Sequence, residues 1–318
     1  MEGRLVVIAG PTATGKTRAA LAVARRIGAE IVCADSRTIY RGMDIGTAKP
    51  SPAERAQVPH HLLDVADPAD TFTLADYQRL AGEAIAGIHG RGRPAVLTGG
   101  TGLYIRATVD RVNVPAVAPD WDLRDRLAAE ERDGGPGTLH RKLGAVDPEA
   151  AERIDPRNVR RVIRALEVWE ATGAPLSSFH GQVRRGRWVP PDPARSGQAA
   201  RMVAFATDRE RLRARIDRRI DDQLHAGLVE EVRTLLRAGC ERGHPSMQGL
   251  GYKEIAAYLG GETTLDEAVL QLRRNTYRYA KRQMTWFRAD PRYRWIDVNG
   301  LPPDSVAAAV LETLGRVL

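Results

Sequence analysis

The residues with the clearest chemistry form a glycine-rich loop near the start of the chain. The loop reads Gly10, Pro11, Thr12, Ala13, Thr14, Gly15, Lys16, Thr17 and satisfies the pattern G-x-x-x-x-G-K-[ST]. An apolar run precedes it and a helical pattern follows it, so backbone N–H groups can converge on phosphate oxygens. Lys16 adds a positive charge and Thr17 offers a hydroxyl to Mg²⁺. The loop predicts a site for a diphosphate or triphosphate and leaves open what happens to it.

A carboxylate stands at the end of the next apolar run. Asp35 follows Ile31-Val32-Cys33-Ala34, where a strand-end side chain would face the phosphate loop. In an ATPase, GTPase or small kinase, such an aspartate holds the water shell of the metal ion. It could equally serve as a base for a hydroxyl or amine nucleophile. The residues alone leave both roles open.

A second glycine cluster follows another apolar run. Thr98-Gly99-Gly100-Thr101-Gly102 places three glycines at the carboxyl end of a predicted strand. Ligands of open α/β sheets bind at that end, and glycines let the backbone approach them closely. Thr101 could then donate a hydrogen bond to a phosphate or bridging oxygen. The alternative is a tight turn between strand and helix without a ligand.

These residues need a parallel sheet to bring them together. Short apolar runs predict strands, and apolar spacing with Gly28 as a stop predicts the first helix. The expected class is α/β, with a P-loop NTPase-like parallel sheet as the core and a mostly helical insertion. The predicted strands are residues 5–9, 30–34, 94–98 and 202–206. The predicted helices are residues 17–27, 123–132, 138–143, 158–172, 209–226, 228–238, 252–259 and 265–288.

The sequence also suggests a division into two domains. Residues 1–111 and 200–318 are assigned to the catalytic core with its C-terminal helices, and residues 112–199 to the helical insertion. Residues 181–197 carry several prolines and are expected to lack regular structure. Thr264 and Glu267 resemble a capping box at the start of the last long helix.

Composition limits the classes of protein. The 318 residues carry a net charge of +8, which favours a polyanion such as nucleic acid or reflects a bias towards arginine. Cys33 and Cys240 are too few for a disulfide scaffold or zinc site, and no apolar run reaches the ~20 residues of a membrane span. The N-terminus also lacks the layout of a signal peptide. A cytoplasmic protein without a membrane segment is expected.

With these clusters placed, the chain closely resembles the tRNA dimethylallyltransferase (tRNA isopentenyltransferase) family of bacterial type. The resemblance extends over nearly the whole chain in order. Beyond the phosphate loop, the matching stretches are Asp35-Ser36 through Tyr40-Arg41-Gly42-Met43-Asp44-Ile45-Gly46-Thr47-Ala48-Lys49-Pro50, then Pro59-His60-His61-Leu62-Leu63-Asp64, Gly99-Gly100-Thr101-Gly102-Leu103-Tyr104, Arg161-Val162-Ile163-Arg164-Ala165-Leu166-Glu167-Val168, Gly249-Leu250-Gly251-Tyr252-Lys253-Glu254 and Ala280-Lys281-Arg282-Gln283-Met284-Thr285-Trp286-Phe287-Arg288.

The resemblance implies a reaction. The N6 amine of the adenosine 3′ of the anticodon attacks C1 of dimethylallyl diphosphate and expels diphosphate. Asp35 then matches the general base, Thr101 the threonine near the bridging oxygen, and Arg219 an arginine that binds diphosphate. The implied partners are a tRNA anticodon stem-loop and dimethylallyl diphosphate, with Mg²⁺ as cofactor and a monomeric enzyme.

The resemblance also implies a set of tRNA contacts. They are Asp35, Ser36, Arg37, Thr38, Thr101, Arg124, Arg160, Arg161, Val162, Ile163, Arg164, Gln248, Gly249, Leu250, Gly251, Tyr252 and Lys253. Arginines at 157, 160, 161 and 164 are expected to share one helix face and to follow a phosphate backbone. The aromatic residues of the last long helix are expected in the core, and His60-His61 is interpreted as a turn or as histidines with partners in the protein rather than a metal site.

Three alternatives remain at this point. A small-molecule kinase or NTPase with a P-loop would hydrolyse or transfer a nucleotide phosphate without RNA. A prenyltransferase acting on free AMP would not need the basic insertion. A non-catalytic RNA-binding module would not need Lys16, Thr17 and Asp35 together.

Overall fold

The computed structural model describes residues 5–179, 183–184, 187–188 and 200–315. Its strands are β1 Leu5–Ala9, β2 Glu30–Cys33, β3 His60–His61, β4 Ala95–Gly99, β5 Val183–Arg184, β6 Arg187–Trp188, β7 Ala200–Ala206 and β8 Arg294–Asp297. Its α-helices are α1 Lys16–Ile27, α2 Pro52–Gln57, α3 Leu74–Gly90, α4 Gly102–Asp110, α5 Trp121–Gly134, α6 Thr138–Val146, α7 Pro148–Arg153, α8 Val159–Thr172, α9 Leu176–Phe179, α10 Arg209–His225, α11 Leu228–Arg237, α12 Tyr252–Leu259, α13 Leu265–Arg288 and α14 Pro303–Leu314. A short 3₁₀ turn covers Ser246–Gln248.

A parallel sheet forms the centre of the fold and confirms the predicted α/β class. Within the described residues its strand order is β3-β2-β4-β1-β7-β8, and every neighbouring pair is parallel. The carboxyl ends of β1, β2 and β4 lie side by side at one edge. The phosphate loop follows β1, Asp35 follows β2, and Thr101 follows β4. The strand order therefore brings three segments that are distant in sequence to one place.

Helices cover both faces of the sheet. Alternate residues of β1 point to opposite faces, so Val7 packs with α3 and α4 while Val6 and Ile8 pack with α1 and α14. The two layers explain why the central strands are apolar throughout, since neither face is open to water. Gly28 ends α1 in the left-handed conformation, as the sequence predicted.

The C-terminal helices form a third apolar cluster beside the loop edge of the sheet. Residues of α10, α11, α12 and α13 bury side chains against Ile39, Tyr40 and Met43, which follow β2. Helices α12 and α13 have the predicted bounds, and the capping box of Thr264 and Glu267 is present. This layer supplies the side chains that close over the phosphate loop.

The insertion has an apolar cluster of its own, formed by helices α5 to α8. The predicted helices are each present, two of them longer than expected. Residues 181–197 mostly lie outside the described part of the chain, although β5 and β6 pair antiparallel within them. The domain boundaries at 112 and 199 stay a prediction. None of the described helices is long and apolar enough to cross a membrane.

Candidate active site and nucleic-acid interface

The phosphate loop joins β1 to α1 through backbone conformations that residues other than glycine rarely adopt. Gly15 has a φ of 86° and Ala13 a φ of 62°, both in the left-handed region. The hydroxyl of Thr14 and the ammonium of Lys16 both donate to the carbonyl of Pro11, at 2.8 and 2.5 Å. The left-handed backbone of Ala13 is strained, and strain of this kind is common at ligand sites, where the surrounding structure fixes the backbone. The helix α1 begins at Lys16, so its amino-terminal N–H groups point into the loop.

Two cations and one carboxylate meet beside this loop. Burial and the nearby Arg219 guanidinium lower the pKa of Lys16 from 10.5 to about 7, and Asp35 partly offsets that effect. Burial also lowers the pKa of Arg219, again against the charge of Asp35. Arg219 donates to the Thr12 hydroxyl and the Thr47 carbonyl, both at 3.2 Å. The site therefore concentrates positive charge that an anionic ligand would stabilise.

Asp35 and Thr101 are held together by the edge of the sheet. The backbone N–H of Thr101 donates to the carbonyl of Ala34 at 3.1 Å, and the N–H of Ser36 donates to the Thr101 hydroxyl at 3.0 Å. One carboxylate oxygen of Asp35 accepts the N–H of Arg37 at 2.9 Å, and within the described residues its second oxygen takes no hydrogen bond. The sequence-predicted base and its neighbouring threonine therefore share one rigid support.

The second glycine cluster makes room for neighbouring protein groups, and Gly99 and Gly100 also line the smaller cavity described below, so the close approach of a ligand to this backbone stays a prediction. A Cβ at Gly99 would stand 1.9 Å from the carbonyl oxygen of Ala34. At Gly100 it would meet the amide of Gln283 at 2.3 Å, and at Gly102 the ring of Trp286 at 2.1 Å. The glycines thus let β2 and α13 approach closely enough to place Thr101 in the site.

Gln283 is a site residue whose role the sequence did not predict; it appeared only within the matching stretch of residues 280–288. Its side chain accepts the N–H of Thr12 and donates to the carbonyl of Gly100, each at 2.8 Å. Tyr279, one turn earlier, forms a side-chain hydrogen bond with Thr101, and burial raises the pKa of its hydroxyl to about 12. No local pattern marks these two residues, because their partners lie on other elements.

Two adjoining cavities open at this edge. One of about 100 Å³ lies between the phosphate loop, Asp35 and Gly100, and the other, of about 250 Å³, extends towards α10 and α13. They share Thr12, Asp35, Thr47, Arg219 and Tyr279. The larger cavity has apolar lining from Ile216, Ile220 and Leu272. An anionic group bound at the loop could therefore carry a short apolar tail.

A carboxylate shapes the loop that holds Arg219. Glu231 accepts the backbone N–H groups of Asp44, Ile45 and Gly46 at 2.7–3.0 Å. It also accepts the hydroxyl of Tyr252 at 2.7 Å. The next residue, Thr47, supplies the carbonyl that binds Arg219. Glu231 therefore acts on the site through this loop.

Most of residues 35–38 and 248–253, which are expected to contact tRNA, line the larger cavity; Thr38 and Gly251 do not. Several of these residues are buried or hydrogen-bonded within the protein. Arg37 donates to the carbonyls of Pro245 and Ser246 and so ties the two segments to each other. Tyr252 and Thr38 are buried, as are Gly249 and Gly251. Gln248 is exposed, and Leu250 and Lys253 are partly so.

The arginines of the insertion divide into two groups. Arg124 forms a bidentate pair with Glu167 at 2.7 and 2.9 Å, and Arg164 binds the same carboxylate at 2.5 Å. The Glu167 side chain is only 1% exposed, so both arginines serve the packing of the insertion. Arg160 and Arg161 are exposed. They can present charge to RNA without leaving an unpaired carboxylate behind.

Two further expectations for this helix need correction or refinement. Arg157 precedes α8 and pairs with Asp155 at 2.7 Å, so it does not share the helix face of Arg160 and Arg164. The side chains of Val162 and Ile163 are buried in the apolar cluster of the insertion. A contact from these two residues to RNA would have to come from the backbone.

A groove of about 1160 Å³ lies between the insertion and the core. Its lining includes Arg106, Arg161 and the rings of Trp121 and Trp286. Trp286 is 37% exposed, with the guanidinium of Arg106 lying 4.3 Å from the centre of its ring. The expected core position is therefore right for Phe287 and wrong for Trp286. Exposed rings beside guanidinium groups can stack on unpaired bases.

His60 and His61 are satisfied by the protein. His60 contacts the carbonyl of Val58, and His61 contacts Glu30, each at 2.7 Å. Glu30 also binds Arg91 and Arg93. Its hydrogen bond with Arg91, together with that of His61, lowers its pKa below the usual range against the opposing effect of burial. Within the described part of the chain, no cluster of three or more His, Cys, Asp or Glu could hold a metal ion.

Comparison with known proteins identifies relatives over nearly the whole chain. The family model described as IPP transferase matches residues 38–290, and the model described as isopentenyl transferase matches residues 3–67. A tRNA dimethylallyltransferase of Desulforudis audaxviator is 51% identical over 93% of this chain and 92% of its own length. A tRNA dimethylallyltransferase of Geobacter metallireducens is 46% identical over 97% of this chain and 96% of its own length.

A solved structure shows the same fold. The full-length tRNA isopentenylpyrophosphate transferase of Bacillus halodurans is 40% identical and superposes with a TM-score of 0.70. The match covers 98% of this chain and 97% of that structure. Identity at this level over nearly the full length of both chains extends well beyond the phosphate loop. The chain belongs to the tRNA dimethylallyltransferase family.

Proposed function

We propose that this protein transfers the dimethylallyl group of dimethylallyl diphosphate to N6 of the adenosine 3′ of the anticodon in certain tRNAs, releasing diphosphate. The observation that carries the proposal is the meeting of Asp35 with Lys16 and Arg219 at the edge of the phosphate loop. A carboxylate beside two half-buried cations suits a reaction that needs a base and an anionic leaving group at the same point.

The chemistry follows from these positions. The N6 amine forms a bond to C1 of the dimethylallyl group while the bond from C1 to the bridging oxygen breaks, and its electron pair leaves with diphosphate. Lys16, Arg219 and the loop amides stabilise the negative charge that develops on diphosphate. The second carboxylate oxygen of Asp35, which takes no hydrogen bond within the described residues, accepts the proton of the amine.

Thr101 and the apolar wall orient the donor. The Thr101 hydroxyl is fixed by Ser36 and Tyr279 beside Asp35, where it can contact the bridging oxygen. Ile216, Ile220 and Leu272 offer a surface for the five-carbon tail. Their contact with the tail keeps water from the reacting carbon, which favours transfer over hydrolysis.

The residues present fit a magnesium ion that arrives with the donor. Thr17 lies at the start of α1 with an exposed hydroxyl, in the cavity that also contains Asp35. The described residues contain no acidic cluster that would hold a divalent ion alone, so diphosphate oxygens would complete its shell. When bound, the ion would neutralise charge on the leaving diphosphate.

The acceptor would enter from the side of the groove. Arg161 and Trp286 line the space between core and insertion, and Pro245 joins this groove to the segment that Arg37 fixes. An adenosine has to leave its stack to reach Asp35, as with other enzymes that modify a base. The exposed rings and guanidinium groups offer its neighbours a new stacking surface.

A transfer assay tests the proposal. The protein is incubated with Mg²⁺ and labelled dimethylallyl diphosphate, and with either anticodon stem-loop RNA or AMP. We expect label in RNA whose adenosine follows the anticodon, and none in RNA with another base at that position. Label in AMP alone would assign the enzyme to free nucleotides. ATP hydrolysis without transfer to either acceptor would refute the proposal in favour of an NTPase.

A further inference from the structure

Gln283 occupies a point where two segments of the site could be joined. Its side chain belongs to α13 and is only 6% exposed. It accepts from the backbone N–H of Thr12 and donates to the backbone carbonyl of Gly100, both at 2.8 Å. Thr12 belongs to the phosphate loop, and Gly100 directly precedes Thr101. One amide group therefore connects the phosphate loop to the segment that carries Thr101.

The chemistry of the two partners fixes how the amide is oriented. A backbone N–H can only donate and a carbonyl can only accept, so the oxygen of Gln283 must face Thr12 and its nitrogen must face Gly100. Neither a carboxylate nor an ammonium of similar size could satisfy both partners. The bond also commits the N–H of Thr12 to the protein, so this amide of the loop is not directed at phosphate.

The connection continues to the charged groups. The Thr12 hydroxyl accepts from Arg219 at 3.2 Å, and Ser36, next to Asp35, donates to Thr101 at 3.0 Å. A shift of Thr12 relative to Gly100 would therefore move the leaving-group cations relative to the base. The absence of a side chain at Gly100 allows the contact, since a Cβ would stand 2.3 Å from the Gln283 nitrogen.

We propose that Gln283 is a positioning residue that fixes the distance between the phosphate loop and the Asp35–Thr101 pair, an inference that rests on the proposed transfer reaction. Gln283 lines the smaller cavity but acts through Thr12 and Gly100. Its loss should lower kcat more than it lowers the affinity for either substrate, because each half of the site keeps its own binding groups.

The test compares two substitutions with a matched control. Gln283→Ala removes both hydrogen bonds, and Gln283→Glu keeps the size but sets an oxygen against the Gly100 carbonyl. The control is Gln271→Ala, which removes a glutamine of the same helix that is exposed and bonds only Asn275 within the described residues. Each variant is measured for melting temperature, RNA Kd, inhibition by inorganic diphosphate, and kcat and KM for dimethylallyl diphosphate.

We expect both Gln283 variants to lose about 10- to 100-fold in kcat, because a displacement near 1 Å can have an effect of that size. RNA Kd and the diphosphate inhibition constant should stay within about threefold of wild type, and Gln271→Ala should match wild type throughout. If Gln283→Ala does not fold, the kcat and binding constants of Gln283→Glu provide the test. If the wild-type protein transfers the label and the folded Gln283 variants keep its kcat, the role of Gln283 is overturned and the proposed function still stands.

Two other results also count against it. An equal loss of kcat, diphosphate affinity and RNA affinity would mean that Gln283 supports the fold in general and does not set a distance. A wild-type protein that transfers no label to RNA would refute the proposed function itself, and with it the role of Gln283.

Discussion

The lowered pKa of Lys16 makes diphosphate binding depend on pH. Burial and the charge of Arg219 bring this pKa from 10.5 to about 7, so much of the lysine is neutral in the unbound protein above neutrality. A bound diphosphate adds negative charge beside the ammonium and restores the pKa towards its ordinary value. Above about pH 7, binding therefore requires that Lys16 take up a proton.

The size of the effect follows from linkage. Below about pH 7 Lys16 is already charged in the free protein and adds no pH dependence. Well above that pH the affinity should fall about tenfold per unit; because half of Lys16 is already neutral at pH 7, the loss between pH 7 and pH 9 is about 50-fold, equivalent to ~2.3 kcal/mol. The decline should level off only as the pH approaches the pKa of the complex.

Isothermal titration with inorganic diphosphate at fixed Mg²⁺ measures this directly. Repeating it near pH 8.5 in two buffers of different ionisation enthalpy gives the number of protons taken up. Lys16→Arg is the control, because its guanidinium stays charged over this range and the remaining slope belongs to the ligand. An identical slope in wild type and Lys16→Arg would refute the assignment of the titration to Lys16.

The remaining predictions concern the base, the RNA surface and the loop that holds Arg219. Asp35→Asn should lose about 10²–10⁴-fold in transfer rate with little change in RNA affinity, measured by single-turnover kinetics and filter binding; a collapse of RNA binding would make Asp35 a binding residue. Replacing both Arg160 and Arg161 by Ala should weaken RNA binding and reduce its salt dependence. Arg164→Ala should instead lower the unfolding free energy by about 1.5–3 kcal/mol, because it removes a charged hydrogen bond to buried Glu167. Denaturant and salt titrations would contradict this prediction if the double variant lost stability and Arg164→Ala lost RNA binding and its salt dependence. Glu231→Gln should raise KM for dimethylallyl diphosphate about tenfold, since an amide cannot accept every N–H of residues 44–46; an unchanged KM would show that the loop holds Arg219 unaided.

The parts of the fold that sequence predicted depend on local pattern. The strand Leu5–Ala9 and the helix Leu265–Arg288 have the expected bounds, because signals local in sequence mark them: an apolar run for the strand, and apolar periodicity with capping residues for the helix. The edge strands β3 and β8 were missed. They are short, and β8 is exposed at three of its four residues, so neither shows a clear apolar pattern.

The parts of the site that sequence could not predict depend on contacts between distant segments. Spacing marked Arg164 as one of a row of cations, but only the fold shows that it faces Glu167 together with Arg124. Likewise, the reason for a glycine at position 99 is the carbonyl of Ala34, which directly follows the neighbouring strand β2. The identities of the candidate catalytic groups were accessible from sequence, whereas the residues that position them were not.

The close approach of Gly99 to Ala34 has a consequence for motion in this enzyme. The segments that carry Asp35 and Thr101 leave neighbouring strands of one hydrogen-bonded sheet, so they move as a single unit. Arg219 belongs to the helical layer of α10 and, within the described part of the chain, its hydrogen bonds at the site are to Thr12 and Thr47. Opening and closing of the pocket would therefore move Arg219 relative to the phosphate loop while Asp35, the proposed proton acceptor, keeps its place.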